Sequence, residues 1–233
     1  MGEGLAGGSR EHPVPAEGRA VVYGLLARAL DYPGEDLAAE LVAGEFVARL
    51  RWAGTGLIGE ECLAGEAGAI ADYTASFTDR DGERRLLLEL QKDYTRLSFA
   101  SKPRLVPLFE SVYREGKLLQ ESTFEVARLY HEAGLRLRPG FTLPPDHIAL
   151  ELECMAYLCF QEAVAAGVQD GEKREKEAVR LQREVLGQHL GEFGARFAER
   201  LKAHAGTSFY RSVARLLADF LAREETRLLP VPG

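Results

Sequence analysis

Residues 144–159 read Pro-Pro-Asp-His-Ile-Ala-Leu-Glu-Leu-Glu-Cys-Met-Ala-Tyr-Leu-Cys. Paired prolines interrupt a helix, and Asp146 is of a type that caps the next one by accepting free backbone N–H groups. Beyond it, Ile148, Leu150, Leu152, Met155, Tyr157, Leu158 and Cys159 leave almost no polar side. A helix apolar nearly all round is buried on several sides. The stretch therefore predicts a stiff break and then a central helix. His147, in the first turn, would have its charged form disfavoured by the helix dipole.

Helical spacing continues in both directions, and strand alternation is nearly absent. Upstream, Val22, Leu25, Leu26 and Ala29 make one apolar face that stops at the turn signature Asp31-Tyr32-Pro33-Gly34. Glycines between 44 and 68 predict short, broken helices, then a longer one over about 62–77. Leu87, Leu90, Tyr94 and Leu97 mark a helix ending before Ser101-Lys102-Pro103. A loop over 100–109 leads to a short turn at Glu110–Arg114. Ser122-Thr-Phe-Glu125 has the form of a capping box opening the helix of Val126, Leu129 and Tyr130. Downstream, Leu190, Phe193, Phe197 and Leu201 form a stripe, and Phe209, Val213, Leu216, Leu217, Phe220 and Leu221 a strong amphipathic helix.

The expectation is an all-α protein of about nine to eleven helices. Residues 1–17 read as a flexible arm, 18–138 as an N-terminal helical half, 139–147 as a Pro-rich hinge, 148–225 as a C-terminal helical half and 226–233 as a frayed tail. With 233 residues the chain is one domain or two intimate subdomains.

Charge and composition exclude several functions. Acidic residues outnumber basic ones 36 to 29, for a net charge of -7. That argues against nucleic acid, which requires a basic face, and is compatible with a basic peptide partner. Three cysteines make no disulfide scaffold and fit a reducing compartment. No apolar run of ~18 residues spans a bilayer. The N-terminus lacks the apolar segment of a secretory signal. Arg84-Arg85 is internal and reads as a solvated helix start. A cytoplasmic protein is expected.

No catalytic, metal or cofactor site emerges. Cys154 and Cys159 lie about 140° apart around a helix and read as buried thiols. His131-Glu132 lacks the second histidine of a zinc-protease helix. Gly54, Gly56 and Gly59 have dinucleotide-loop spacing but no preceding strand. Nothing resembles a serine nucleophile elbow. Two clusters remain: Pro107-Leu-Phe109-Glu110-Ser111-Val112-Tyr113, and Pro144-Pro-Asp146-His147. Each has a plain alternative, aromatics plugging the core for the first and a linker with a cap for the second.

In order and spacing these clusters resemble the TorD/DmsD/NarJ family of cytoplasmic maturation chaperones for molybdenum oxidoreductases. Tyr94-Thr-Arg-Leu97 is similar to the family's aromatic segment, Glu110-Ser111-Val112-Tyr113 to its E-S-V-Y block, and Pro145-Asp146-His147 to its hinge. Gln188-His189-Leu190, Phe197 and Phe209-Tyr210 follow its later pattern. The sequence departs from it at Leu97-Ser98-Phe99-Ala100-Ser101, where the family has Leu-Phe-x-Gly-Pro, and at Pro144, where it often has Glu. The resemblance covers about residues 18–225. It implies a non-enzymatic chaperone that binds the twin-arginine signal peptide, and the apo form, of a molybdopterin oxidoreductase catalytic subunit. It also implies possible dimers by exchange of helical halves. Tyr94, Leu97, Phe99, Phe109 and Tyr113 would then supply apolar surface to the leader. Glu110, Ser111, Asp146 and His147 would supply polar contacts, with the two carboxylates facing arginines. A helical nucleotide-binding or adaptor protein is the alternative.

Overall fold

A computed structural model describes residues 15–100, 102–136, 143–165 and 169–229. Eleven α-helices follow in chain order: α1 (Pro15–Leu30), α2 (Glu35–Val42), α3 (Glu45–Gly54), α4 (Glu60–Thr74), α5 (Gly82–Thr95), α6 (Glu110–Arg114), α7 (Glu121–Glu132), α8 (Ile148–Ala165), α9 (Gly171–Val185), α10 (Gly191–His204) and α11 (Ser208–Leu228). No strand occurs among the described residues, so the all-α expectation holds.

The buried faces are the ones the spacing marks. Val22, Leu25, Leu26 and Ala29 of α1 are buried and pack along α8. Phe209, Val213, Leu216, Leu217, Phe220 and Leu221 of α11 are buried against α10 and α4. Each such large side chain contributes roughly 1.5–3 kcal/mol on leaving water. The Tyr23 and Phe220 rings meet edge to face at 4.6 Å between α1 and α11. Because α1 packs on α8 and α4 on α11, the stretches before and after the expected hinge share one continuous core. Arg19 ties this core together. It donates to Glu224 on α11 at 2.7 Å, Glu162 on α8 at 2.9 Å and Gln182 on α9 at 2.6 Å.

Several local expectations are corrected. Helix α1 starts at Pro15, inside the expected arm, because proline fits the first helical turn and Ala16 is buried. The last helix runs to a buried Leu228 instead of fraying from 226. The capping box at Ser122 does not form. The cap position is Gln120, and Ser122 donates its hydroxyl and its N–H to the Glu115 carboxylate. Helix α8 packs against both α1 and α9, as a central helix should, and keeps one exposed strip that carries Glu153, Phe160 and Val164. Residues 139–142 of the expected hinge lie outside the described residues.

Two π-turns, 96–100 after α5 and 186–190 after α9, interrupt the regular helical register. Wide turns of this kind re-aim side chains and recur at functional sites. The first carries Phe99 and the second His189.

Candidate functional site

The two sequence clusters meet at one junction. Phe109 and His147 pair in an isolated antiparallel bridge. Around it, Glu110 N–H donates to Asp146 O and Ile148 N–H to Leu108 O, both at 2.9 Å. This places the residue before α6 against the residue before α8. The Asp146 carboxylate caps, but not the helix that follows it. Its Oδ2 accepts from Ser111 N–H at 2.9 Å, in the first turn of α6. His147 takes the local role, its Nδ1 accepting Ala149 N–H at 3.2 Å at the start of α8. Burial holds the imidazole pKa down at about 4, opposed more weakly by Asp31 and Asp146. Burial, not the helix dipole, therefore keeps His147 neutral.

Glu110 is fully buried, and Arg114 Nη1 donates to it at 2.8 Å. Its other neighbour is His189 Nδ1, at 3.0 Å and 3.1 Å from the two oxygens. Arg114 also donates to the Gln188 carbonyl, so the second π-turn is fastened to α6. Glu151, one turn into α8, is fully buried, and among the described residues neither of its oxygens has a hydrogen-bond partner. Burial, then the nearby Glu110 and Asp146 charges, raise its pKa well above the ordinary carboxyl value. Neutralising one member of a crowded carboxylate group is the usual outcome of such packing.

A second feature adjoins the junction. Tyr94 is buried, donates its hydroxyl to Leu30 O at 3.3 Å, and meets Tyr32 edge-on at 5.6 Å and Phe99 at 6.1 Å. Tyr32 is 52% and Phe99 49% exposed. Arg104 stacks over Phe99 at 5.8 Å. The result is an aromatic edge reaching solvent from a fixed base.

The sequence-identified residues thus divide by position. Tyr94, Leu97, Phe109, Glu110, Ser111, Asp146 and His147 are buried, Tyr113 is half-buried, and Phe99 is exposed. Tyr113 donates to Pro107 O at 3.0 Å and lies under Arg196 at 5.5 Å. Glu110 and Asp146 are committed to Arg114, His189 and Ser111, and neither reaches solvent. Sequence reasoning missed Tyr32 and Glu151 as parts of this site. A large aromatic in a turn where small polar residues dominate is the signal for Tyr32. A cavity of about 600 Å³ lies between α7 and α8, lined by residues including Tyr130, His131, Arg136, Pro145 and Leu150. Among the described residues no group of His, Cys, Asp and Glu is arranged to hold a metal ion. No helix among them is long and apolar enough to cross a membrane.

Comparison with known proteins places this architecture. The family model described as nitrate reductase delta subunit matches residues 60–199. The chaperone protein TorD of Vibrio cholerae is 25% identical over 192 residues, covering 82% of this chain and 84% of that protein. TorD of Escherichia coli O8 is 28% identical over 160 residues, covering 68% and 71%. The crystal structure of a putative redox enzyme maturation protein from Archaeoglobus fulgidus shares the fold, with a TM-score of 0.51 and 21% identity. That match covers 95% of this chain and 99% of that one.

Proposed function

The chain belongs to the TorD/NarJ family, the one described as nitrate reductase delta subunit, and from there we propose that it is a non-enzymatic chaperone for the maturation of a redox enzyme. In this reading its client is the catalytic subunit of a molybdopterin oxidoreductase. The chain holds the client's twin-arginine leader and apo form in the cytoplasm, delaying export and assisting cofactor insertion.

One observation carries the leader part of the reading. The motif residues converge on a buried polar junction that abuts a solvent-reaching aromatic edge, Tyr32 and Phe99 on Tyr94. A leader has an apolar segment that folds as a helix on an apolar surface. The edge offers that surface. Tyr94 and Gln91 hold the edge through Leu30 O and Pro33 O, whereas Glu110, Ser111, Asp146 and His147 bond across elements or at a helix start instead of reaching outward. Leu97 is buried in the π-turn that carries Phe99, while Phe109 meets His147 at 5.2 Å in the junction and Tyr113 meets Phe193 at 5.1 Å.

The test is affinity purification of the tagged chain from its own cytosol, followed by mass spectrometry. Recovery of one molybdopterin oxidoreductase precursor, reduced when the client's leader is deleted, is expected. Recovery that is indifferent to the leader would overturn leader binding. Absence of any redox enzyme where one is expressed would overturn the chaperone reading.

A further inference from the structure

One face of this acidic chain is cationic, and it begins where the aromatic edge ends. Arg104, in the segment between the first π-turn and α6, stands over the Phe99 ring at 5.8 Å. Arg196 and Arg200, both on α10, reach the same segment from the other side. Arg196 Nη1 donates to Tyr113 O at 3.0 Å, and its guanidinium lies over the Tyr113 ring at 5.5 Å. Arg200 donates through Nε to Leu105 O at 2.8 Å and through Nη2 to Arg104 O at 3.2 Å. Both α10 charges act on the Tyr113 hydroxyl. We propose that Arg104, Arg196 and Arg200, flanked by the Phe99 and Tyr113 rings, form a strip that binds an acidic stretch of a partner polypeptide. The strip is separate from leader binding, since a basic leader is repelled there.

The charge of the strip is not neutralised by the fold. Among the described residues no carboxylate lies within ion-pair distance of any of the three arginines. Other arginines do find acids: Arg19 pairs with Glu224, Arg114 with Glu110 and Arg215 with Glu66. Even Glu192 and Glu199, exposed on α10 itself, form no ion pair with Arg196 or Arg200. In a chain where acidic residues outnumber basic ones 36 to 29, three neighbouring cations without a carboxylate stand against the average.

The strip is also held in place. A guanidinium has five N–H donors. The fold engages one of them on Arg196 and two on Arg200, and Arg104 is positioned by the ring beneath it. The donors left over form forks that suit carboxylates, which accept two parallel bonds. Side chains anchored in this way lose little conformational freedom when a ligand arrives.

Spacing favours a run of carboxylates over a single anion. Four residues apart on one helix, Arg196 and Arg200 are about 6 Å apart along its axis. Alternate side chains on one face of an extended strand are about 6.6 Å apart. A strand with acids at alternate positions therefore offers one carboxylate to each arginine. The guanidinium groups are fixed to three different places, at Phe99, Leu105 and Tyr113, and do not converge as a phosphate site requires. The net charge of -7 opposes nucleic acid.

The probes are a short labelled peptide with glutamate at alternate positions, its glutamine counterpart and a labelled DNA duplex, each titrated against the full chain by fluorescence anisotropy. The test variants are R104Q/R196Q/R200Q and R104Q alone. The second gives up no hydrogen bond within the fold, so it separates lost charge from damage to the segment that α10 holds. K173Q/R174Q/K176Q, on the exposed face of α9, removes the same charge elsewhere. Wild type is expected to bind the glutamate peptide in a salt-dependent manner and to ignore the glutamine one. The triple variant is expected to lose about tenfold and R104Q about threefold, and the α9 variant to match wild type. Full affinity in R104Q, an equal loss in the α9 variant, or no binding of the glutamate peptide by wild type would overturn the strip. Duplex DNA bound as tightly as the glutamate peptide would overturn its assignment to an acidic polypeptide.

Discussion

Glu110 is the point at which the junction is most exposed to a single change. Replacing it with alanine removes the acceptor of Arg114 and the contact of His189. The two partners then fare differently. The Arg114 side chain is 37% exposed and recovers water, so its share of the loss is at most about 1 kcal/mol. The His189 side chain is 1% exposed and cannot, and an abandoned buried donor costs about 1–3 kcal/mol. The space left by the side chain adds to this. The sum is roughly 2–4 kcal/mol. Urea unfolding followed by far-UV circular dichroism and by fluorescence of the single Trp52 would read it as a lowered midpoint with an unchanged slope. A second arm makes the test specific. Replacing Glu110 and His189 together, by alanine and leucine, should cost less than the two single changes summed, because no orphan remains. A loss below about 0.5 kcal/mol for Glu110→Ala, or strict additivity in the pair, would refute the junction as an interacting unit.

Further outcomes follow from other contacts. The folded-state pKa of His147, at about 4, lies below the unfolded value of 6.5, so its contribution is full above pH 6.5 and is lost as pH falls toward 4. The loss is roughly 3 kcal/mol at most, and His147→Gln should flatten the acid limb of a stability-against-pH curve. Glu151 has the opposite sign. Its raised folded-state pKa makes wild type lose stability as pH rises above the ordinary carboxyl value of 4.5, and Glu151→Gln should remove that slope in the same titration. Arg19→Met takes from Glu224, which is 1% exposed, its 2.7 Å partner and leaves it the 3.4 Å pair with Arg227, and should cost about 3 kcal/mol by urea unfolding. Gly82→Ala would put a methyl 1.7 Å from the Phe77 carbonyl, so the start of α5 must shift and thermal unfolding should occur at a lower temperature.

The parts of this structure that were legible in the sequence are those governed by periodicity. The stripes of α1, α10 and α11 are buried as their spacing requires, and α6 occupies the short turn expected at Glu110–Arg114. Capping was less legible, because a cap is a competition among distant acceptors. Ser122 went to Glu115, seven residues upstream, and Asp146 went to Ser111 across the junction. The π-turns were invisible, since an extra residue in a helical turn leaves the apolar pattern nearly unchanged. Phe109 and His147 were singled out as site residues, but that they pair with each other depends on tertiary packing alone. Tyr32 was hidden by its setting in Asp31-Tyr32-Pro33-Gly34, which reads only as a stop signal until Tyr94 is seen beneath it.

The most direct test of the account is hydrogen–deuterium exchange of the chain alone and with its client's leader peptide. Leader binding at the aromatic edge predicts slowed exchange over 31–36 and 94–100, with the outer face of α9 unchanged. Protection confined to the groove between α7 and α8, or no protection anywhere at saturating peptide, would contradict it.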